Sequence, residues 1–399
     1  MGKNLSEDYA LSLIRKWDGF RNLENKSKVK EVSVQPLSID ELGYLSIVYS
    51  AKVTFEDGST FPYIIKTPCI DRFTGTMDDE KGFSDMDEFL FTCHNRECKM
   101  YQILSSIDVK VPKLFASKEA TLQDKNGYLV MESFIDKATI MSPVSQITPK
   151  QILSVASNLG KIRAELEKLD QNQWNELNDT FRLDRDLVGE MMEPNIEKLL
   201  KYDHDTFYPL CRKLKPYSGQ NFFEYVLQTR AKDLGVEWLV HSDLHGGNLM
   251  FKNNPDGSIS PELATIIDWQ SGFSGNSLFD LARFACISAD ADIRRGCEEE
   301  AVNSYYDSYI KHSKNPNPKF TREVCQELYE LGVILEGVEW QIIFAFFGNN
   351  PPGNNEGQIE AIRAKMALRA RLGMEDALSL IEKHNCKQIV DKLPSKVFL

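Results

Sequence analysis

The stretch of sequence that decides the fold runs from Leu239 to Met250 and reads Leu-Val-His-Ser-Asp-Leu-His-Gly-Gly-Asn-Leu-Met. Apolar residues flank a His-x-Asp-x-x-x-x-Asn core, whose polar members are His241, Asp243 and Asn248. This pattern predicts a buried strand that delivers a carboxylate, and five residues later a carboxamide, into one loop. Asp also makes turns at strand ends, so this stretch needs further support before it indicates a chemistry.

A second strand-ending carboxylate, Asp268, follows the β-branched run 265–267 and lies twenty residues beyond Asn248. Phosphoryl transfer needs such a set of groups. A carboxylate accepts or orients the proton of the acceptor hydroxyl, while an Asn and an Asp offer hard oxygens to Mg²⁺ on the phosphates of ATP. The spacing from Asp243 to Asn248 equals that in the catalytic loop of protein kinases.

Three neighbours of these residues have two interpretations each. His241 either takes part in the chemistry beside Asp243 or bonds the loop backbone and is structural. Gly246 and Gly247 either approach a phosphate closely or provide turn geometry.

A kinase requires two further residues upstream, and the sequence has both. Lys66 lies on the third predicted strand, where it would bridge the α and β phosphates, and Glu97 lies on the following helix, where it would hold that lysine. Lys66 alone is not specific, because many strands end in a solvated lysine. The ordered set carries the prediction: Lys66, Glu97, Asp243, Asn248 and Asp268.

Two features differ from protein kinases. The loop 40–46 has one glycine instead of the G-x-G-x-x-G pattern, so Ser46 and backbone N–H groups would contact phosphate. Too few residues separate Asp268 from the helical pattern that begins near Asn276 for an activation loop. A peptide would therefore have nowhere to dock, and a small-molecule hydroxyl acceptor fits better.

The periodicity of the remaining chain predicts a sheet first and helices afterwards. Strands are predicted at 31–35, 45–55 and 60–67, with a hairpin at Asp57-Gly58, and at 113–116 and 128–134. A first helix is predicted at 6–18 with Ser6 as the cap, and a second follows the acidic stretch and ends at about residue 107. Further helices are predicted at 147–169, 184–202, 219–233, 277–313, 320–347 and 356–385. A β-rich island at 238–268 interrupts them. The acidic stretch 71–88 is predicted to be a solvated loop.

Several motifs together resemble the CHK-kinase-like group, which is related to ecdysteroid kinases and more distantly to choline kinase and aminoglycoside phosphotransferases. These motifs are Asn95-Arg96-Glu97 with Tyr101, His241-Ser242-Asp243-Leu244 with Asn248, the run 266–270, Gly275-Asn276 and Asp280-Leu281-Ala282-Arg283. The resemblance covers about residues 30–345. It implies an α+β, two-lobed, protein-kinase-like fold, with an N-terminal antiparallel sheet lobe carrying one helix and a larger, mainly helical C-terminal lobe. The resulting division is an N-terminal helix in 1–29, an N-lobe in 30–134 and a C-lobe in 135–399.

The resemblance also implies roles for the site residues. Asp243 would be the catalytic base, Asn248 and Asp268 the ligands of Mg²⁺, and the backbone from Glu132 to Phe134 would meet the adenine of ATP. Asp280 and Arg283 would brace the lobe.

The implied activity is Mg-ATP-dependent phosphorylation of a hydroxyl on a small organic molecule, such as a steroid, a glycoside or a related metabolite. The alternatives are a choline- or aminoglycoside-type kinase, or a pseudokinase that serves as a binding or scaffold module. The single-glycine loop favours the pseudokinase, and the five retained residues count against it.

Some aromatic residues fit either a packed core or the wall of a pocket for an apolar acceptor. One group, at helical spacing, comprises Trp340, Ile343, Phe344 and Phe347. The other comprises Trp174, Phe222 and Phe223.

Composition limits the partners and the compartment. Lys and Arg number 47 against 59 Asp and Glu, and the net charge of −12 argues against a nucleic-acid partner. The eight cysteines include no C-x-x-C pair, and no signal peptide pattern opens the chain, so we expect a reducing, cytoplasmic location. Residues 1–6 fit the myristoylation pattern at Gly2, but no polybasic run supports a stable membrane anchor. No feature of the sequence indicates an oligomeric state.

Overall fold

The structure, a computed structural model, describes residues 5–37, 45–69, 86–142, 144–175, 177, 195–348 and 355–393. The chain divides into two compact units. The first comprises Met1–Lys137 and Ile267–Gln270, and the second comprises Ala138–Ile266 and Ser271–Leu399. The predicted myristoylation site at Gly2 lies outside the described residues.

The first unit is built on an antiparallel sheet of five strands among its described residues, in the order β1-β2-β3-β5-β4. The strands are β1 (Val29–Pro36), β2 (Ser46–Phe55), β3 (Thr60–Pro68), β4 (Leu114–Lys118) and β5 (Tyr128–Glu132). The predicted β2–β3 hairpin is confirmed, and Gly58 adopts the left-handed φ of 82° that its tight turn requires. The register pairs Lys66 on β3 with Val48 on one side and Leu129 on the other, which fixes Lys66 in the middle of the sheet.

In the described part of the first unit, three helices accompany this sheet. They are α1 (Glu7–Ile14), α2 (Asp18–Glu24) and α3 (Met86–Leu104). Ser6 caps α1 by accepting the N–H of Tyr9, as its sequence position predicts. The single helix predicted over 6–18 is wrong, because the backbone is extended at Trp17, whose ring stacks on Phe115 with centroids 4.5 Å apart.

The first helices share one hydrophobic core with the sheet. Leu13 and Phe20 are fully buried together with Val53 and Ile65 of the strands. Residues 70–85, most of the acidic stretch, lie outside the described residues, and Asp87 and Glu88 belong to the first turn of α3 rather than to a loop.

Two small sheets lie in the second unit where its residues are described. One has the order β6-β8-β9, formed by β6 (Ala138–Ile140), β8 (Leu249–Asn253) and β9 (Ile259–Ile266). The other pairs β7 (Trp238–Val240) with β10 (Phe273–Gly275). The predicted β-rich island is thus present. β6 and β10 were not predicted, because three residues are too few to show an alternating pattern.

Helices form most of the remaining described part of the second unit. They are α4 (Pro149–Leu166), α5 (Asn172–Asn175), a segment at 195–202, α6 (His204–Leu214), α7 (Gln220–Glu224), α8 (Arg230–Leu234), α9 (Phe279–Ser288), α10 (Ala291–His312), α11 (Arg322–Phe347), α12 (Glu356–Lys383) and α13 (Cys386–Val390). A π-helical turn, Tyr225–Thr229, joins α7 to α8. No helix in the described part of the chain combines the length and apolarity that crossing a bilayer requires.

The helix predicted over 277–313 is in fact two helices. The backbone is extended at Ala289 and Asp290, between α9 and α10. Asp290 accepts a hydrogen bond of 2.8 Å from Arg369 of α12, an interaction between distant residues that periodicity does not reveal.

The aromatic residues with two interpretations are mostly core. Trp340, Ile343 and Phe344 of α11 are at most 5% exposed and belong to one large cluster with residues of α12. The same holds for Phe222 and Phe223, while Trp174 is buried against Trp238 with the ring centroids 5.8 Å apart. Phe347 differs, because it is only partly buried.

Candidate active site

Three of the residues predicted from sequence meet in the first unit. Lys66 Nζ lies 2.8 Å from the carboxylate of Glu97 on α3 and 2.5 Å from Oδ1 of Asp268. Lys66 is 9% exposed and Glu97 1%. One ammonium group therefore serves two carboxylates that come from distant parts of the sequence.

The electrostatics of this cluster follow from its burial. Burial alone would lower the pKa of Lys66, but the charges of Asp268 and Glu97 outweigh it and raise that pKa above its usual range. Burial raises the pKa of Glu97 to about 7, with Asp268 adding to the effect and Lys66 opposing it. Because two carboxylates face one ammonium, the donor set fits an additional hard cation at Asp268.

The backbone at Asp268 is unusual. Its φ of 65° is left-handed, which is uncommon for a residue other than glycine. The N–H of Asp268 donates to Tyr101 Oη at 3.2 Å, and Arg96 donates to the carbonyl of Gln270 at 3.1 Å. Helix α3 thus holds the turn that carries Asp268, which gives the motif residues Arg96 and Tyr101 a physical role.

The second unit contains the loop after β7. His241 is fully buried, and its Nδ1 accepts the N–H of Asp243 at 3.2 Å. Asn248 donates from Nδ2 to the carbonyl of Asp243 at 2.8 Å. Both predicted neighbours therefore fix the backbone of Asp243. The bond made by Asn248 uses its amide nitrogen, so its carbonyl oxygen is the atom suited to a cation.

Asp280, at the start of α9, braces the same loop. Its two carboxylate oxygens accept the N–H groups of His241 and Ser242, each at 2.8 Å. Ser242 has a left-handed φ of 73°, and these two bonds hold it in that conformation. Burial raises the pKa of Asp280, against the effect of the donors around it.

Asp243 is the acid of this loop, and 34% of its side chain is exposed. Arg283 of α9 donates to its Oδ1 from Nη2 at 3.0 Å and from Nε at 3.3 Å, while His245 Nε2 lies 3.9 Å from Oδ2. Burial acts to raise the pKa of Asp243, but His245 and Arg283 outweigh it and lower it to about 2. Asp243 is therefore ionised at neutral pH.

The two glycines of the loop serve close packing. A Cβ on Gly247 would lie 2.8 Å from the ring of His245, and one on Gly246 would lie 3.0 Å from the carbonyl oxygen of Met141. The N–H of Gly246 donates to Ser288 Oγ at 2.8 Å. Neither is among the glycines of the described chain that have a positive φ, so turn geometry does not require them.

The other predicted contacts of ATP lie in the first unit. Ser46 begins β2 and is 5% exposed, and residues 38–44 before it lie outside the described residues. Glu132 ends β5 and donates its N–H to the carbonyl of Lys113 at 2.9 Å. The carbonyl of Phe134 accepts the N–H of Lys137 at 3.0 Å. The nucleotide contacts of Ser46, Glu132 and Phe134 stay predictions.

The pairing of Arg283 with Asp243 was not predicted. Arg283 was expected only to brace the lobe, because forty positions separate it from Asp243 and the sequence does not show that they meet. One signal was present: Arg283 follows Asp280 by three residues, so both lie on one face of α9.

Comparisons with known proteins identify the family of this chain. A family model described as DUF1679, uncharacterized oxidoreductase dhs-27, matches residues 69–385. A Caenorhabditis elegans protein named uncharacterized oxidoreductase dhs-27 is 22% identical over 363 residues, which cover 86% of this chain but only 43% of that protein. Another protein of that organism, named uncharacterized kinase-like protein D1044.1, is 21% identical over 78% of this chain and 82% of its own length.

A solved structure supports the fold. Choline kinase from Cryptosporidium parvum Iowa II aligns with a TM-score of 0.52 at 13% identity, over 96% of this chain and 99% of that chain. The predicted fold class, an antiparallel sheet lobe followed by a mainly helical region, is therefore confirmed. The chain belongs to the DUF1679 family, and its fold is similar to the fold of this choline kinase.

Proposed function

We propose that this chain is a Mg-ATP-dependent O-phosphotransferase, which transfers the γ-phosphoryl group of ATP to a hydroxyl of a small organic molecule. One observation carries the proposal: Lys66 Nζ lies 2.8 Å from Glu97 and 2.5 Å from Asp268 in a buried cluster. These are the lysine, the glutamate and the metal-binding aspartate that phosphoryl transfer requires. The retention of all three counts against the scaffold alternative.

In the proposed reaction, Lys66 binds the α and β phosphates and Glu97 keeps its ammonium in place. Asp268 and Asn248 would hold Mg²⁺, which neutralises charge on the phosphates when it is bound. Ser46 would contact a phosphate, and the backbone from Glu132 to Phe134 would contact adenine.

Asp243 is the proposed catalytic base. It is ionised at neutral pH because its pKa is lowered to about 2, so it orients the acceptor hydroxyl and receives its proton as the phosphoryl group moves. A pKa this low makes orientation its main contribution before transfer. His241 acts by holding the backbone of Asp243 from its buried position.

We propose a steroid, a glycoside or a related metabolite as the acceptor, because the motif set is similar to that of the ecdysteroid-kinase-like group. A choline- or aminoglycoside-type acceptor is the alternative. The short connection between Asp268 and α9, which begins at Phe279, favours a small molecule over a peptide.

The word oxidoreductase occurs in two of the names above, but we do not propose an oxidoreductase activity for this chain. It belongs to a protein of which this chain covers 43%. Nowhere in the 399 residues do two glycines stand in G-x-G spacing, so the dinucleotide-binding fingerprint G-x-G-x-x-G is absent from the sequence.

We also propose a cytoplasmic location and no nucleic-acid partner. All eight cysteines of the sequence fall within the described residues, and all eight are free thiols. Free thiols suit a reducing compartment, and the net charge of −12 disfavours phosphate-backbone partners.

The proposal is tested by a screen of Mg-ATP consumption against sterols, glycosides, nucleosides and aminoalcohols, with mass spectrometry for the gain of one phosphate. We expect at least one class to gain phosphate in Mg²⁺ and none to do so in EDTA. If the chain binds no ATP in Mg²⁺ and phosphorylates no acceptor, the scaffold alternative replaces the proposal.

A further inference from the structure

Arg283 links the proposed base to a neighbouring helix. On one side its Nη2 and Nε lie 3.0 and 3.3 Å from Oδ1 of Asp243. On the other side its Nη1 lies 2.8 Å from Glu336 and 2.6 Å from Glu339, both on α11. The Arg283 side chain is only 15% exposed, so these contacts replace most of its hydration.

The two oxygens of Asp243 are thereby made different. Both donors of Arg283 reach Oδ1, whereas Oδ2 lies 3.9 Å from His245 Nε2. A carboxylate oxygen that already accepts two charged hydrogen bonds is a weaker base than its partner. Oδ2 is therefore the oxygen suited to receive a proton from an acceptor hydroxyl.

Helix α11 supports both sides of this carboxylate. Glu336 is fully buried, and its Oε2 has no hydrogen-bond partner among the described residues, so the pairing with Arg283 is what compensates its burial. Further along α11, the ring of Phe347 packs edge-on against His245, with centroids 5.9 Å apart. Residues 336, 339, 343 and 347 share one face of a helix by spacing.

We infer that Arg283 is the positioning residue of Asp243: it fixes Oδ1, leaves Oδ2 as the proton acceptor, and is itself held in register by Glu336 and Glu339. This inference rests on the proposed phosphotransferase function. It makes α11 the element that sets the orientation of the base.

A purely structural salt bridge is the competing explanation, and another arginine supplies the control. Arg294 of α10 is 3% exposed and pairs with two carboxylates, Glu298 and Asp376. It resembles Arg283 in burial and charge but is not among the donors to Asp243.

The test compares Arg283→Gln, Arg283→Lys and Arg294→Gln in Mg-ATP turnover, first with water as the acceptor and then with any acceptor found in the screen. We expect Arg283→Gln to lower kcat by about 10²-fold, because a misplaced catalytic group costs that much, while the KM for ATP changes less than about threefold. Arg283→Lys should recover part of kcat, and Arg294→Gln should keep it.

A double-mutant cycle separates positioning from general damage. In an Asp243→Asn background, Arg283→Gln should cause no further loss of kcat, because Arg283 acts only through Asp243. If Arg283→Gln fails to fold because it leaves the buried side chains of Glu336 and Glu339 unpaired, the variant Arg283→Gln/Glu336→Gln is measured against the same expectations.

The outcomes distinguish a failure of the Arg283 inference from a failure of the proposed phosphotransferase function. A wild type that turns over ATP, together with an Arg283→Gln variant of unchanged kcat, overturns this inference and leaves the proposed function intact. If the losses of kcat from Arg283→Gln and Asp243→Asn multiply in the double variant, the inference is likewise overturned and the proposed function stays intact. A wild type without Mg-dependent turnover overturns the proposed function, and the inference falls with it.

Discussion

Lys66 shows how a single charged residue organises the first unit. It lies between Glu97 and Asp268 in a setting too buried for any of the three to be hydrated fully. A buried ion pair contributes little net stability by itself, but removing one partner is costly. The arrangement is therefore better explained by the phosphate and metal chemistry proposed for it than by stability.

Replacement of Lys66 tests that explanation. We expect Lys66→Met to raise the KM for ATP at least about tenfold, since a charge-assisted hydrogen bond contributes about 1.5–3 kcal/mol. Steady-state kinetics measures the change, and Lys52→Met, at an exposed position of the neighbouring strand β2, is the control. An unchanged KM with unchanged kcat would remove Lys66 from nucleotide binding.

Glu336 is a second residue whose burial has a measurable consequence. Burial raises its pKa from the ordinary 4.5 to about 8, against the opposing charge of Arg283. The folded chain therefore keeps a proton that the unfolded chain releases above pH 4.5. The stability that this group contributes is greatest below pH 4.5 and is lost as the pH rises towards 8.

Glu336→Gln should remove this loss, because an amide does not titrate. Relative to wild type, the unfolding free energy of the variant should increase by about 1–3 kcal/mol between pH 5 and pH 8. Denaturant unfolding at several pH values measures it, with the exposed Glu300→Gln as the control. A difference that stays flat or decreases with pH would show that Glu336 is ionised throughout.

The sequence predicted some of these residues and not others, for physical reasons. Lys66, Glu97 and Asp268 were predictable because a strand lysine, a helix glutamate and an aspartate after a strand follow one another in the order that a kinase requires. The left-handed backbone at Ser242 and Asp268 was not, because neither residue type signals a positive φ. It is imposed by donors and acceptors from other elements.

Among the elements, helices α11 and α12 depend on a very close contact. A Cβ on Gly337 of α11 would lie 2.3 Å from the Cβ of Ala377 and 2.9 Å from the carbonyl oxygen of Gly373 on α12. Glycine at 337 therefore sets the distance between the two helices, and with it the position of the neighbouring Glu336.

Gly337→Ala should destabilise the chain by about 1–3 kcal/mol, because the extra methyl overpacks a closed contact. Gly296→Ala is the matched control, since it also lies inside a helix but meets nothing within 4 Å, and it should stabilise by about 0.5–1 kcal/mol. Thermal unfolding of both variants measures the difference. If both variants stabilise the chain, the close contact of α11 with α12 is not tight.

Element boundaries were the least predictable feature. The hairpin at Gly58 follows from local turn chemistry, and it was predicted correctly. The breaks at Trp17 and Asp290 follow from contacts with Phe115 and Arg369, which are distant in sequence. Local periodicity continues through both breaks, so it could not reveal them.

On the scale of the whole molecule, the proposed machinery is distributed over both units of the chain. Lys66, Glu97 and Asp268 belong to the first, while Asp243 and Asn248 belong to the second. The fold class was predictable because the periodicity predicts a sheet followed by helices and the motifs resemble one family. The acceptor could not be predicted, since the motifs describe the nucleotide and the transfer step only.

The central claim is tested most directly by Mg-ATP turnover of Asp243→Asn beside wild type, with nucleotide affinity measured by calorimetry in the same buffer. The account predicts Mg-dependent phosphoryl transfer by wild type and a loss of about 10³-fold in the variant, because a general base contributes about 10²–10⁴-fold. Mg-ATP affinity should stay within about threefold, since Asp243 acts on the acceptor and not on the nucleotide. Undiminished turnover by Asp243→Asn, or no Mg-dependent transfer by wild type, would contradict the account.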